Sequence, residues 1–323
     1  MFITLLKEAL RLTPVFLFGS TGETLTEKSG HLNMGTPGII CMGAAGGMLG
    51  LNIYDSICGG FENSNPFLAF LFCFIMALLL GALSGFIFSF FTVTLRCNQN
   101  VMGLAYTTFG IGFYGLIFSS LNNSIFFYNE YCDTFATLFI KDKDCTNAFQ
   151  TLFLANGFLW YLSFIVAIAV AIILKKTRVG MFVRAVGENA GSADAAGINV
   201  SKYRYLTTII GSAICSLAGL YYFVEINIGL VEFGLLDSYG WLAVALVIFT
   251  LWKTDLGVLG AILFAFLFKL PLIYSLPSPE LNMLFSYLPY FVTIIILILI
   301  SIFDKKAAQA PGNLGIAYFR EER

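Results

Sequence analysis

Residues 66–92 read PFLAFLFCFIMALLLGALSGFIFSFFT, an apolar run of 27 residues without a single charge. As an α-helix rising 1.5 Å per residue, it is about 40 Å long, more than the roughly 30 Å hydrocarbon core of a bilayer. Lipid offers the backbone no hydrogen-bond partners, so a run of this kind must satisfy them internally as a helix. Comparable windows fall at 3–20, 36–53, 101–121, 153–174, 205–226, 256–275 and 283–303, with a shorter one at 238–251. None shows the period-2 alternation of a barrel strand. The expectation is an all-α polytopic transmembrane bundle of about nine spans over residues 1–303, followed by an exposed tail over 304–323.

Composition agrees. Of 323 residues, 58% are hydrophobic and 11% charged, with a mean hydropathy of +0.84. A soluble domain carries roughly a quarter charged residues, so most of this surface must face lipid. The 34 Phe and 15 Tyr suit lipid-facing helices and interfacial belts. A net charge of −1 gives no pointer to nucleic acid. Met1–Gly19 contains Lys7, Glu8 and Arg11 and no small-residue cleavage site, so it reads as a retained first span.

Basic residues set the expected orientation. Lys175, Lys176, Arg178, Arg184, Lys202 and Arg204 lie in segment 175–204. Lys305, Lys306, Arg320 and Arg323 lie in the tail, Arg96 in 93–100 and Lys253 in 252–255. With nine spans these regions share one side, taken as the cytoplasm. The C-terminus is then on the cytoplasmic side of the cell membrane and the N-terminus outside, with Lys7 and Arg11 snorkelling against the rule. The opposite side holds 54–65, 122–152, 227–237 and 276–282, with only Lys141 and Lys143 as bases.

Several chemistries are excluded. His31 is the single histidine, so paired-His metal centres are ruled out, and no cofactor is expected. There is no Walker A sequence, and Gly43–Gly50 lies in a span without the strand that a nucleotide-binding turn requires. Cys41, Cys58, Cys73, Cys97 and Cys215 read as small buried hydrophobes, whereas Cys132 and Cys145 share one polar loop and could pair if it is extracellular. Glu225, Asp237, Lys253, Asp255 and Lys269 fall near segment ends, and no span shows paired acids. Ionisable groups deep in helices usually mark ion pathways. Their absence favours a transporter driven from outside this chain over an ion-coupled carrier or an intramembrane enzyme.

Two polar segments remain. Gly22–Gly35 joins the first two spans, either as a plain loop or as a broken-helix segment lining a cavity. Segment 175–204 is too long for a turn, and its helix formers bounded by Gly suggest one or two short surface helices. Gly43–Gly47, Gly81–Gly85 and Gly211–Cys215–Gly219 have helix-packing spacing. Glu23, Asn33, Asn98 and Gln99 are polar groups beside spans, suited to line a hydrated solute route or to serve as caps.

The second polar segment carries a resemblance. KTRVGMFVRAVGEN at 176–189, followed by ADAAGINV at 193–200, resembles the cytoplasmic coupling segment of a family of ATP-binding-cassette (ABC) importer permeases. That family serves nucleosides, ribose and other sugars, and branched-chain amino acids, and the nucleoside branch is nearest. LTEKSGHLNMG at 25–35, LRCNQNVMG at 95–103 and YGWLAVA at 239–245 are similar too, in consistent order from about residue 12 to 303. The resemblance implies a permease subunit rather than an enzyme. It further implies a cytoplasmic ABC ATPase dimer, a second permease (a paralogue in the nucleoside branch) and an extracellular solute-binding protein. Arg184, Gly187, Glu188, Asn189, Asp194 and Gly197 are the expected coupling residues, with Glu188 and Asp194 as polar anchors. The pattern departs at Thr36–Pro37–Gly38, where the nucleoside branch usually has a hydrophobic residue, Glu and Gly. An altered solute, such as a sugar or an amino acid, stays open on that ground.

Overall fold

The computed structural model describes residues 2–60, 63–121, 131–136, 139, 147–227, 235–273, 278–303 and 310–319. Its helices are α1 (Phe2–Glu27), α2 (Thr36–Cys58), α3 (Pro66–Ser89), α4 (Gln99–Leu121), α5 (Phe158–Lys176), α6 (Arg178–Glu188), α7 (Ala190–Ala195), α8 (Val200–Tyr221), α9 (Leu236–Phe249), α10 (Thr254–Ile273), α11 (Pro279–Ser286) and α12 (Leu288–Phe303). Wide π turns extend α3 over Phe90–Thr94 and α8 over Tyr222–Ile226, and a third covers Gln150–Leu154. No strand occurs among the described residues.

Each of the nine apolar windows is largely helical among the described residues. Six helices are long and apolar enough to cross a membrane: α2, α3, α4, α5, α8 and α10 with their extensions. The other windows differ from these for local reasons. α1 has the length, 26 residues, but contains Lys7, Glu8, Arg11, Glu23 and Glu27. α9 has only 14 residues, and the last window is divided between α11 and α12.

The bundle is arranged with the most apolar of these six spans outside. α2 has 83% of its most apolar stretch buried, against 28% for α3. Helices α1, α2 and α8 form the centre, and α3, α4, α5, α9 and α10 pack around them. Small residues let the central backbones touch. A Cβ on Gly43 would overlap the Ser216 carbonyl, and one on Gly219 would overlap that of Ile40, so α2 and α8 meet backbone to backbone. In lipid, where burial of apolar area gives helices no reason to associate, such close packing supplies the attraction.

Pro14 lies inside α1 and cannot donate to the Leu10 carbonyl. That carbonyl instead accepts from Trp160 Nε1 of α5 at 2.9 Å, and the Arg11 carbonyl accepts from the Tyr221 hydroxyl at 2.5 Å. Arg11 Nη2 in turn donates to the Glu225 carbonyl at 2.7 Å, so this arginine is held by protein. The Glu225 carboxylate accepts from Leu159 N at 2.8 Å at the start of α5, where an acid complements the helix dipole.

The basic segments gather at the other end. Lys175 pairs with Asp255 at 2.8 Å, Trp252 reaches Glu27, and the Arg96 guanidinium sits 4.7 Å over the Phe319 ring. α1 therefore runs the length of the bundle, from Trp160 at one end to Trp252 at the other. Two sequence expectations change, one for the cysteines and one for the tail. Cys97 is exposed and Cys58 half-buried, while Cys41, Cys73 and Cys215 are buried as expected. Cys132 is buried, but Cys145, and with it the suggested pairing, lies outside the described residues. The tail is not simply exposed: residues 310–319 pack under the basic end, with Pro311 buried.

Candidate functional site: a buried polar crossover beside the coupling helices

The first polar segment is largely helix. α1 continues through Gly22–Glu27, every residue from Leu12 to Glu27 is buried, and the crossover to α2 occupies only 28–35. The chain turns at Gly30 in the left-handed region, φ 78°, a conformation that glycine adopts freely. Glu23 and Glu27 stand one helical turn apart, 0% and 2% exposed. This overturns the reading that no span holds paired acids. Thr36 donates to Glu23 Oε2, and the Trp252 indole N–H donates to Glu27 Oε2.

Asn33 and Gln99 meet the same crossover from its two sides. Asn33 Oδ1 accepts from Gly35 N at 3.0 Å, and Gln99 Oε1 accepts from Leu32 N at 2.7 Å. Each oxygen is fixed by a backbone donor, so each amide points its nitrogen the other way. Asn33 Nδ2 and Gln99 Nε2 are buried and have no acceptor among the described residues. Buried donors are nearly always paired, so these two mark a place where a polar guest or water belongs. Asn98 does not join them. It is exposed and caps α4, its Oδ1 accepting from Asn100 N and Val101 N at 3.0 and 3.2 Å.

His31 lies in the crossover between Thr208 of α8 (Nδ1, 2.7 Å) and Thr92 of α3 (Nε2, 2.6 Å). Burial, with Arg204 nearby, pushes its pKa down to about 3. The ring is therefore neutral and needs one donor. Both threonine hydroxyls also lie within reach of backbone carbonyls, those of Arg204 and Phe88. One of them must turn its proton to the ring instead.

Segment 175–204 forms the two short helices α6 and α7. Thr177 starts α6 by accepting from Gly180 N at 3.1 Å, Asn189 starts α7 from Ser192 N at 2.9 Å, and Asn199 starts the following α8 from Lys202 N at 2.9 Å. Gly187 packs on the carbonyl of Lys28, so the end of α6 rests on the crossover. Burial lowers the pKa of Lys28, while the nearby Glu188 raises it. Arg184, Glu188, Asn189 and Gly197 are exposed, and Asp194 is half-buried. Glu188 Oε2 accepts from Gly312 N at 3.3 Å, and Asp194 Oδ2 from the Tyr318 hydroxyl at 2.7 Å.

A buried polar crossover thus lies at the basic end of the helical bundle, with a capped helix pair resting on it. Residues 5–299 match the family described as branched-chain amino acid transport system / permease component. The chain belongs to this permease family. It is similar to the nucleoside ABC transporter permease of Lactococcus lactis, 29% identical and covering 96% of this chain and 94% of that one. It is also similar to the guanosine ABC transporter permease of Bacillus subtilis, at 29% and covering 94% and 92%. A putative glucose ABC transporter permease of Haloferax volcanii is 26% identical over 98% of both chains. The permease is thus a multi-pass protein of the cell membrane and a transporter component, working with an ATPase and a solute-binding protein.

Sequence reading missed several residues that build this buried crossover. Thr36 and Trp252 hold the two buried carboxylates, and Thr107 ties the crossover to α4 through the Met34 carbonyl at 2.8 Å. Trp252 follows α9 in a turn where both it and Leu251 have φ 55°. Nothing local signals its reach to Glu27, 225 residues away in the chain.

Proposed function

We propose that this permease is the membrane-spanning subunit of an ATP-driven importer that carries a nucleoside inward past the crossover of Glu23, Asn33 and Gln99. The observation that carries the solute route is the pair of unspent amide donors, Asn33 Nδ2 and Gln99 Nε2, in a buried segment that also holds Glu23. Amides and a carboxylate are the groups that pair with the hydroxyls of a ribose and the edges of a base. Asn98 serves this reading as the cap that starts α4 and so sets Gln99.

The chain crosses the membrane nine times with its basic end in the cytoplasm. The gathering of Arg96, Lys175, Lys253 and Arg204 near α6 and α7 supports this orientation. Two permease chains, the second a paralogue, enclose the pore, and an ATPase dimer docks on α6–α7. Arg184, Gly187, Glu188, Asn189, Asp194 and Gly197 form or shape that docking face. A solute-binding protein delivers from outside. A sugar is the second reading, favoured by the Haloferax relative and by Pro37. This proline packs against Gly240 of α9, where the nucleoside branch usually has an acid.

The test is uptake of labelled nucleosides and glucose by cells with and without the gene, under ATP depletion and under uncoupler. Nucleoside uptake should need the gene and ATP but survive the uncoupler. Asn33→Ala should raise KM about tenfold, the cost of leaving a polar solute group unpaired. Gene-dependent glucose uptake in place of nucleoside uptake would move the substrate class, and uptake abolished by uncoupler alone would sink the ATP-driven reading.

A further inference from the structure

The match to the permease family ends at residue 299, and it gives no role to the residues beyond that point. Yet residues 310–319 make specific contacts with five separate parts of the basic end. Asn313 N donates to the Gly187 carbonyl at 2.8 Å, and Gly312 N to Glu188 Oε2 at 3.3 Å, both at the end of α6. The Tyr318 hydroxyl donates to Asp194 of α7 at 2.7 Å. Gly315 N donates to the Gly30 carbonyl at 3.3 Å, in the crossover one residue before His31. Arg204 of α8 donates from Nη1 to the Ile316 carbonyl at 3.0 Å, and Phe319 lies under Arg96 beyond the π turn of α3.

Most of these bonds use backbone groups of the tail. The tail also covers charge. Arg204 is 2% exposed, and Ile316 supplies the acceptor for its Nη1. A segment with no role would not be expected to be the partner of a buried guanidinium. Moreover, the tail does not merely lie on α6–α7. It connects them to Gly30, three residues from Asn33.

We infer that residues 310–319 are a positioning strap that joins the coupling helices to the solute crossover, so that a displacement of α6–α7 is delivered to the segment holding Asn33. Gly187 on the Lys28 carbonyl is the direct contact between the two. The strap makes that contact two-sided: α6 can push the crossover through Gly187 and pull it through Asn313 and Gly315. A push alone would move the crossover in one direction of the cycle only. The inference rests on the importer reading, and it adds that coupling in this chain depends on residues outside the matched permease core.

The complete transporter, with its ATPase and binding protein in proteoliposomes, tests this with two variants: truncation after residue 309, and Tyr318→Phe. Uptake and solute-stimulated ATP hydrolysis are read together. In the truncated chain the maximal uptake rate and the stimulation should fall about 5- to 150-fold, the range of a lost coupling, while basal hydrolysis and the KM for solute stay as they were. Tyr318→Phe, which removes one hydrogen bond, should lower the maximal rate about 2- to 10-fold at unchanged KM. Full-rate uptake by the truncated chain overturns the strap. Should the truncated chain fail to assemble, Tyr318→Phe decides alone, and unchanged rate and stimulation there overturn it. If the intact chain shows no ATP-dependent uptake, the importer reading fails instead, which the comparison with intact chain keeps separate.

Discussion

Helices α1 and α3 have similar lengths, 26 and 24 residues, and opposite designs. α3 has no charged residue, and Phe67, Leu71, Ile75, Leu79, Leu83 and Phe86 stand on its surface. α1 carries five charged residues and is buried without interruption from Leu12 to Glu27. In water the charged helix would lie outside and the apolar one inside. In a bilayer the solvent is hydrocarbon, so the helix that needs partners for its polar groups takes the centre. Apolarity in this chain therefore marks what touches lipid, while polarity within a span marks what the protein is built around.

The central packing is where this contrast can be broken most easily. Gly43→Leu places a side chain where α2 and α8 touch backbone to backbone. It should cost more than about 3 kcal/mol, beyond ordinary overpacking, because no side chain there can yield. Gly112→Leu on α4 meets nothing within 4 Å and should change stability by no more than about 0.5 kcal/mol. Thermal unfolding of the two purified variants in detergent compares them directly, and equal losses would mean that α2 and α8 are not in close contact.

The crossover gives a smaller, pH-dependent effect. His31 is the only histidine, and its folded pKa of about 3 lies below the ordinary value of 6.5. Above pH 6.5 neither folded nor unfolded chain protonates it. As pH falls from 6.5 towards 3, the unfolded chain takes up the proton and the folded one does not, so stability declines over that window. His31→Gln should flatten the fall in melting temperature between about pH 7 and pH 5. An unchanged slope would show that His31 is not held neutral by burial. Least of all should Lys175→Ala matter. Its partner Asp255 and Lys175 itself are about half exposed, and such pairs contribute at most about 1 kcal/mol, less in salt. Urea titration at low and high salt measures it, and a larger loss would mean that this end of α5 and α10 is shielded from water.

The legible parts of the sequence are those whose causes are local. All nine apolar windows are largely helical, and Thr177, Asn189 and Asn199 stand where side-chain oxygens are needed to start α6, α7 and α8. The spacing of Gly43, Gly211 and Gly219 signals close packing because helix periodicity alone puts small residues on one face. Three members of the candidate site, Glu23, Asn33 and Gln99, are visible as polar residues beside spans, and they converge. What stays hidden depends on partners far along the chain. The helical extension of α1 through Glu27 is polar enough to read as loop, and only Thr36, Trp252 and the surrounding helices make it tolerable as a buried helix. The tail has no apolar periodicity because its bonds come from its backbone, which any sequence carries.

The bond between Trp252 and Glu27 also bears on how the chain is made. α1 is synthesised well before its neighbours α8, α9 and α10. At about 5 to 20 residues per second, the 225 residues between Glu27 and Trp252 take roughly 11 to 45 s to appear. For that interval the newborn first helix holds a carboxyl group whose native donor does not yet exist. It must wait at the water boundary or against another protein rather than settle in lipid. The centre of the bundle is thus begun early and completed late, and a ribosome that stops before α9 leaves a chain with α1 unclosed.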